Sequence, residues 1–203
     1  MRGLLRIFAL LSGAVAQTQL NTSEVSIMGA SYSGNGCPRG TVSTSFSSDR
    51  MIITLSFDAV HPFIGPGATR SDSAKNCVVH LQVKYPSGWQ FVINGTRWHG
   101  LFTLADGIRA QLYTLFELVS RDTQVINVPT VTLNGTADVS GQLFNADLPV
   151  LDELRSGCGS DTILVHDRWS LSGTKENVYQ EEWMAGDTPL IQQLELKWKE
   201  CKR

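Results

Sequence analysis

The strongest constraint on the fold of this chain is an alternation of apolar and polar residues with a period of two. In one segment the apolar members are Val79, Leu81, Val83 and Tyr85, and the polar members between them are His80, Gln82 and Lys84. In a second segment Ile53, Leu55 and Phe57 alternate with Thr54 and Ser56. Successive side chains of a β-strand point to opposite faces, so both segments are typical of half-buried strands. With little helix between such segments, the sequence predicts an all-β protein, an antiparallel β-sandwich of a jelly-roll-like or related type.

Residues 89–103 predict a β-hairpin, because the apolar run WQFVI is followed by Asn94-Gly95 and then by TRWHGLF. Asn-Gly suits a type I′ turn. The segment around Asn134-Gly135 repeats this pattern with lower contrast. Further strands are expected at residues 108–118, 162–171, 178–183 and 194–198.

Residues 145–159 differ from the rest of the chain, because Leu148, Leu151 and Leu154 have a spacing that suits one or two helical turns. We expect a helical connection there. Glycine- and proline-rich residues 34–40 and 61–67 predict long loops.

The first 16 residues predict a secretory signal peptide. Arg2 and Arg6 accompany a short apolar stretch, and Ala14-Val15-Ala16 forms a cleavage site before Gln17. The apolar stretch is too short to span a bilayer. Residues 17–203 are therefore expected to form one secreted β-sandwich domain outside the cell.

Four cysteines follow the predicted cleavage site: Cys37, Cys77, Cys158 and Cys201. An even number in a secreted chain predicts two disulfides, for which three connectivities are open. We favour Cys37 with Cys77 and Cys158 with Cys201, because sequential pairs need the least chain crossing. No two cysteines have the C-x-x-C spacing that is typical of zinc sites.

Three sequons predict N-glycosylation, at Asn21, Asn94 and Asn134. Two of them are also Asn-Gly pairs, so an unmodified turn is the alternative interpretation at those positions. Turn tips are exposed, which makes the two interpretations compatible.

The charge balance is mildly acidic, with 17 basic and 19 acidic residues. Binding to nucleic acids needs clustered lysine and arginine, so we expect no nucleic-acid partner. No apolar run after the leader reaches membrane length, and the C-terminal residues are highly charged, so we expect no membrane anchor. We expect a monomer without a cofactor.

The surroundings of the cysteines resemble those of a known family. The motifs, in order, are Gly36-Cys37-Pro38, Gly65-Pro66-Gly67, Lys75-Asn76-Cys77 following Asp72, and Tyr85-Pro86-Ser87-Gly88. Together they resemble the secreted fungal proteins grouped as domain of unknown function 4360, and Leu196 and Trp198 before Cys201 are similar to the end of that family. The resemblance implies secretion and four paired cysteines, and it supplies no catalytic residue.

No recognisable catalytic motif is present. The G-x-S-x-G run of α/β hydrolases is missing, and the four histidines lack a local metal-ligand spacing, so we expect no metal site. Carboxylates for glycoside hydrolysis are too numerous to single out a pair.

Two features are candidates for a binding patch. Trp98 lies between Arg97 and His99, just beyond the predicted turn, so its ring is expected to be exposed. Asp72, Lys75 and Asn76 adjoin a predicted disulfide, although a surface ion pair and a turn cap are the favoured interpretation of these residues.

The leading functional hypothesis is an extracellular binding protein for a cell-wall polysaccharide or a host-surface component, including an effector-like role. The alternative is an extracellular polysaccharide-active hydrolase or lyase whose carboxylates come from several strands.

Overall fold

The structure is a computed structural model that describes residues 19–119, 124–136, 141–173, 181–182 and 189–201. The predicted signal peptide and most of the predicted strand 178–183 lie outside these residues. A 3-10 turn at Thr22–Glu24 is followed by β1 (Ser26–Ser33), β2 (Val42–Phe46), β3 (Ile52–Phe57), β4 (Phe63–Ile64), β5 (Ala74–Lys84), β6 (Trp89–Phe102), β7 (Arg109–Leu118), β8 (Gln124–Asn127), β9 (Val131–Asn134), β10 (Gln142–Arg155), β11 (Ser160–Ser172), β12 (Glu181–Glu182) and β13 (Leu190–Glu200). Within the described residues, no helix is long and apolar enough to cross a membrane.

The strands form two antiparallel sheets. Sheet A has the order β1-β5-β11-β7-β8, and β9 also pairs with β7. Sheet B has the order β10-β6-β13-β3-β2. The short strands β4 and β12 pair separately. With β8 and β9 counted as one interrupted strand, this arrangement is the strand order of a jelly roll with one extra strand at an edge of each sheet. The predicted all-β antiparallel sandwich is confirmed.

The core lies between the sheets and follows the period-two pattern. Val79, Leu81 and Val83 on β5 are buried, whereas His80, Gln82 and Lys84 are exposed. On sheet B, Ile53, Leu55 and Phe57 are buried. The sequence-based assignment of these faces is confirmed, as are the strands predicted near residues 108–118, 162–171 and 194–198.

The predicted hairpin at residues 89–103 is wrong, because β6 runs straight through Asn94-Gly95. Gly95 pairs with Glu195 of β13, but the next β13 residue, Leu196, pairs with Ile93, so Asn94 is an extra residue in the ladder. Asn94 thus forms a β-bulge in a central strand. The Asn-Gly pair on its own favours a turn. Here β6 pairs with β10 on one side and with β13 on the other, and this pairing keeps the segment in an extended conformation.

The second Asn-Gly pair also does not close a hairpin. β9 ends at Asn134 and pairs with β7, and the next strand, β10, pairs with β6 in the other sheet. The chain therefore crosses between sheets after Asn134.

The helical connection predicted at residues 145–159 is wrong, because most of this segment belongs to the edge strand β10. Pro149 pairs with Gly95 and Leu154 pairs with Ile93, so four residues of β10 lie opposite the single bulged Asn94. This irregularity leaves Leu154 buried and Leu151 exposed. The leucine spacing that resembles a helix is the spacing of a bulged strand.

Two disulfides join Cys37 to Cys77 and Cys158 to Cys201, with Cα–Cα distances of 5.5 and 6.3 Å. This is the connectivity that the sequence favoured. The first bond ties the loop after β1 to β5, and the second ties the β10–β11 connection to the end of β13.

Candidate functional site

The tryptophan proposed as an exposed ligand contact is buried, so that prediction is wrong. Trp98 is 0% exposed and lies in the middle of β6. Its ring centroid is 5.9 Å from that of Phe57 and 6.0 Å from that of Trp169. Because β6 does not turn at Asn94, Trp98 faces the core. This cluster of three rings bridges the two sheets instead of binding a ligand.

The other residues of the predicted patch separate into two roles. Asp72 accepts hydrogen bonds from the backbone N–H of Thr69 at 2.9 Å and from its hydroxyl at 2.6 Å, and it lies 3.7 Å from the Lys75 ammonium. The Thr69 hydrogen bonds, followed by the Lys75 charge, lower the pKa of Asp72. Asp72 and Lys75 therefore form a turn cap and a surface ion pair. Asn76, in contrast, is exposed on the outer face of sheet A.

The outer face of sheet A brings polar side chains from five strands into rows. Strand register places residues that pair in one row, and residues two apart along a strand on the same face. One row contains Asn76, Arg168 and Tyr113. The next contains Val78, His166, Leu115 and Asn127, and the one after it contains Ser31, His80, Leu164, Glu117 and Val125. We call this surface the sheet A face.

Tyr113 provides an exposed aromatic ring on the sheet A face. Its side chain is 37% exposed, and its hydroxyl donates a hydrogen bond to Asn127 Oδ1. Arg168 is its direct neighbour across the ladder. A planar ring beside a guanidinium and an amide can contact both the C–H groups and the hydroxyls of a sugar.

His166 and Glu117 form a pair on the same face. His166 Nε2 lies 3.3 Å from Glu117 Oε2. The two side chains come from neighbouring strands, β11 and β7, at diagonal positions of the register. Within the described residues this is the one close approach of a histidine to a carboxylate, and imidazole and carboxylate groups are the usual acids and bases of catalysis.

A cleft of about 1030 Å³ continues the sheet A face at the end where β5 finishes. Gln82 and Thr162 form one row of its lining, and Lys84 and Ser160 form the next. Met28, which is 64% exposed, reaches the cleft from a bulge in β1, and Val119 lies on its apolar rim. The cleft thus combines amide, hydroxyl, ammonium and apolar groups.

The floor of the cleft is a rigid corner between β10 and β11. Asp161 accepts hydrogen bonds from the backbone N–H groups of Gly157 and Thr162, at 2.8 and 2.7 Å. The Tyr85 hydroxyl donates to the carbonyl of Gly157 at 2.7 Å. Burial raises the pKa values of both Asp161 and Tyr85. Together with the Cys158–Cys201 disulfide, these bonds fix the corner.

A buried polar cluster lies beneath the sheet A face. Asp167, between His166 and Arg168 in sequence, accepts a hydrogen bond from the Thr114 hydroxyl at 2.8 Å and lies 3.4 Å from Gln192 Nε2 of sheet B. Burial raises the pKa of Asp167 to about 8. Its carboxyl group is therefore largely protonated at neutral pH, and the cluster joins the two sheets through the core.

Charge is distributed unevenly between the two outer faces. On the strands of sheet A, within the described residues, Glu117 is the one acidic side chain facing outward, against three cations: Lys84, Arg109 and Arg168. Sheet B instead pairs Arg97 with Asp147 and Glu195. The sheet A face is therefore locally positive on a chain whose formal net charge is −2.

No metal site appears in the described part of the chain, and the described residues of the sheet A face include no pair of facing carboxylates. On the outer face of sheet B, Asp147 and Glu195 both bind Arg97. No group of three histidine, cysteine, aspartate or glutamate side chains among the described residues could hold a metal ion. The sheet A face offers Glu117 alone, whereas glycoside hydrolysis by the usual route needs two carboxyl groups.

All three sequon asparagines are exposed. Asn21 caps the 3-10 turn, accepting from Ser23 N and Ser23 Oγ, and Asn134 Oδ1 accepts from Arg109 Nε at 3.2 Å. Asn94 projects from the bulge of β6 at the opposite sheet, beside Pro149 and Glu195.

Sequence reasoning missed Tyr113, His166, Glu117 and Arg168 as a group. These side chains lie in strands that the sequence did predict, and the alternation of side chains along a strand indicates that they point outward. Their adjacency depends on β7 and β11 being neighbours in register, which no local pattern reports. Only Asn76 of the predicted patch lies on the sheet A face.

The fold and the site define a class, a disulfide-linked jelly-roll protein whose sheet A has a locally positive outer face. The family profile named "domain of unknown function (DUF4360)" matches residues 23–201, and the chain belongs to that family. A curated relative from Arthroderma benhamiae, an "uncharacterized secreted protein", is 28% identical over 182 residues, which cover 88% of this chain and 72% of the relative. The predicted family is confirmed. The relative and the two disulfides agree with the predicted location, so the protein is secreted.

Solved structures similar to the chain include two carbohydrate-binding modules. One, in complex with β-1,4-galactotriose, is 9% identical, with 86% of this chain and 90% of that chain covered and a TM-score of 0.27. The other, from the β-sandwich superfamily, is 11% identical, with 90% and 61% covered and a TM-score of 0.31. At such low scores the similarity carries no argument about a ligand.

Proposed function

We propose that this protein is an extracellular binding protein that holds a polysaccharide of a cell wall or host surface on the sheet A face. The observation that carries the proposal is the outward array of Tyr113, Asn76, Asn127, His80 and Arg168 on three central strands and one edge strand of a rigid sandwich. Planar amide, imidazole and guanidinium groups offer several hydrogen-bond donors and acceptors in fixed directions, which suits a polymer rich in hydroxyl groups.

The cleft extends this surface along the strand direction. Gln82 and Thr162 continue the polar rows, while Met28 and Val119 add apolar contact for the less polar face of a sugar ring. A long, shallow site of this kind suits a segment of a polymer better than a small molecule enclosed in a pocket.

The test replaces the exposed ring. We expect Tyr113→Ala to weaken polysaccharide binding by about 1 kcal/mol, or roughly fivefold, because the stacking surface is lost. Binding is measured by calorimetry or affinity electrophoresis against a panel of wall polysaccharides. Tyr113→Phe keeps the ring and loses only the hydrogen bond to Asn127, so it should bind more tightly than Tyr113→Ala.

Leu143→Ala is the matched control, because Leu143 is 77% exposed on β10 of the opposite sheet. It should bind like the unchanged protein. Retention of no polysaccharide at any salt concentration, or equal losses for Tyr113→Ala and Leu143→Ala, would count against the proposal.

The alternative is an enzyme that cuts an extracellular polysaccharide, and the His166–Glu117 pair is the observation in its favour. Among the described residues of the sheet A face, Glu117 is the one outward carboxylate, which argues for a lyase rather than a hydrolase with two carboxyl groups. Release of new chain ends from the bound polymer, lost in Glu117→Gln, would favour this alternative over a binding protein.

The remaining proposals concern the mature chain. We propose cleavage after residue 16, a single domain over residues 17–203, and glycans at Asn21, Asn94 and Asn134. A glycan at Asn94 would emerge from the bulge on sheet B, whereas a glycan at Asn134, which pairs with Arg109, would lie at the β9 end of the sheet A face. We further propose a monomer that binds neither nucleic acid nor a membrane.

A further inference from the structure

We infer that the polymer bound by the sheet A face is an acidic polysaccharide, a chain bearing carboxylate groups such as polyuronate. This inference rests on the proposed function and adds the chemical class of the ligand. It begins from the local excess of cations on a chain that is acidic as a whole. A locally positive face on an otherwise acidic protein attracts an anionic polymer to that face and not to the rest of the surface.

Two of the three cations of this face, Arg168 and Lys84, have free side chains, whereas Arg109 donates a hydrogen bond to Asn134 and several cations elsewhere form ion pairs. Arg97 binds Asp147 and Glu195, and Arg155 and Lys199 both bind Glu153. Arg168 and Lys84 have no hydrogen-bond or ion-pair partner among the described residues. A free guanidinium can bind a carboxylate through two parallel N–H donors, and this bond is stronger than a neutral hydrogen bond.

The one acidic side chain of the face does not cancel this charge, because it stands against three cations. Glu117 lies two rows from Arg168, and its carboxylate is 3.3 Å from His166 Nε2. Tyr113 lies directly beside Arg168, and a sugar ring against Tyr113 would bring its carboxylate within reach of the guanidinium.

The separation of the two free cations indicates a polymer. Arg168 pairs with Asn76 of β5, and Lys84 is eight residues further along the same strand, next to the cleft. At about 3.3 Å per residue this places the two charges roughly 26 Å apart. A ligand that contacts both must therefore be several sugar units long, and His80 and Gln82 lie between the two charges.

The experiment compares polygalacturonate with its methyl ester, which has the same backbone without charge, and with a neutral galactan. We expect polygalacturonate to bind about tenfold more tightly than the ester, with an affinity that falls as salt rises. Arg168→Gln and Lys84→Gln should each weaken polygalacturonate binding by roughly three- to tenfold and weaken binding of the ester less, because the ester has no carboxylate for the cation to pair with. Both side chains are exposed, so both variants should fold, which circular dichroism checks.

Lys197→Gln is the control for net charge, because Lys197 is exposed on β13 of sheet B. It should bind polygalacturonate like the unchanged protein. Equal affinity for the acid and its ester would overturn the inference and leave the proposed function standing, whereas binding to none of the polysaccharides would overturn both. Equal affinity for a single-stranded DNA would show a general polyanion site and overturn the polysaccharide assignment.

Discussion

Asp167 is the least exposed carboxylate residue of the described part of the chain. It is a carboxyl group enclosed in an apolar core, with the Thr114 hydroxyl and the Gln192 amide as its neighbours. Burial disfavours the charged form, which is why its pKa rises to about 8 from an ordinary value of 3.8. Between these two values the unfolded chain has lost the proton that the folded chain keeps.

Stability should therefore fall as pH rises through that window. Because the folded state binds the extra proton, raising the pH from about 4 to 8 favours unfolding, by at most about 1.4 kcal/mol per pH unit. Asp167→Asn keeps the acceptor oxygen and carries no charge. We expect it to be about as stable as the unchanged protein at pH 4 and more stable by a few kcal/mol at pH 8, as measured by urea unfolding.

The exposed Asp152→Asn is the control, since it removes the same charge from the surface. Its difference from the unchanged protein should vary little with pH. A stability difference for Asp167→Asn that stays constant from pH 4 to pH 8 would show that the buried carboxyl does not titrate as described.

At the scale of elements, the end of β1 is fixed against β5 by a close backbone contact. Gly36 N donates to the carbonyl of Asn76 at 2.9 Å, and Asn76 N donates to Asn35 Oδ1 at 2.8 Å. Gly34, at φ 141°, passes so close that a Cβ atom there would lie 2.1 Å from the Asn76 carbonyl oxygen. This contact brings Cys37 to Cys77 and borders the Asn76 row of the sheet A face.

Gly34→Ala should therefore displace the main chain and destabilise the fold by about 3 kcal/mol in chemical denaturation. Gly88→Ala is the matched control, because Gly88 has φ 90° but nothing within 4 Å of an added Cβ atom. It should lose only about 1 kcal/mol, from backbone strain. If the two variants lose similar amounts of stability, the contact with Asn76 does not exclude a side chain at position 34.

At the scale of the whole molecule, two disulfides hold the ends of the sandwich. Their sequence separations are 40 and 43 residues, so each closes a long loop and should stabilise the fold by about 4 kcal/mol in the chain-entropy model. One bond lies near the far end of the sheet A face and the other at the cleft.

Mass analysis of the secreted protein should show signal cleavage, glycosylation and both disulfides. We expect the chain recovered from the medium to begin at Gln17, to lose mass on treatment with an N-glycosidase and to gain four hydrogens on reduction. Intact mass spectrometry and N-terminal sequencing measure all three. Recovery of an uncut chain with four free thiols from inside the cell would contradict the secretory proposals.

Much of the fold could be predicted because it follows from local alternation. The pattern from Val79 to Tyr85 assigns the buried and exposed faces of β5 correctly, since side-chain direction in a strand depends only on parity. The errors at Asn94-Gly95 and at residues 145–159 have the opposite origin. There, pairing with distant strands outweighed a local preference for a turn or a helix.

The amino-acid sequence alone determined the all-β class, the family and the directions of the strand side chains, because these depend on composition, cysteine surroundings and a period of two. Only the tertiary structure decided that Trp98 is buried and that Tyr113, Arg168 and Asn76 share one row. The physical reason is that strand order and register arise from hydrogen bonds between segments far apart in the chain. A site assembled across strands has no local signature.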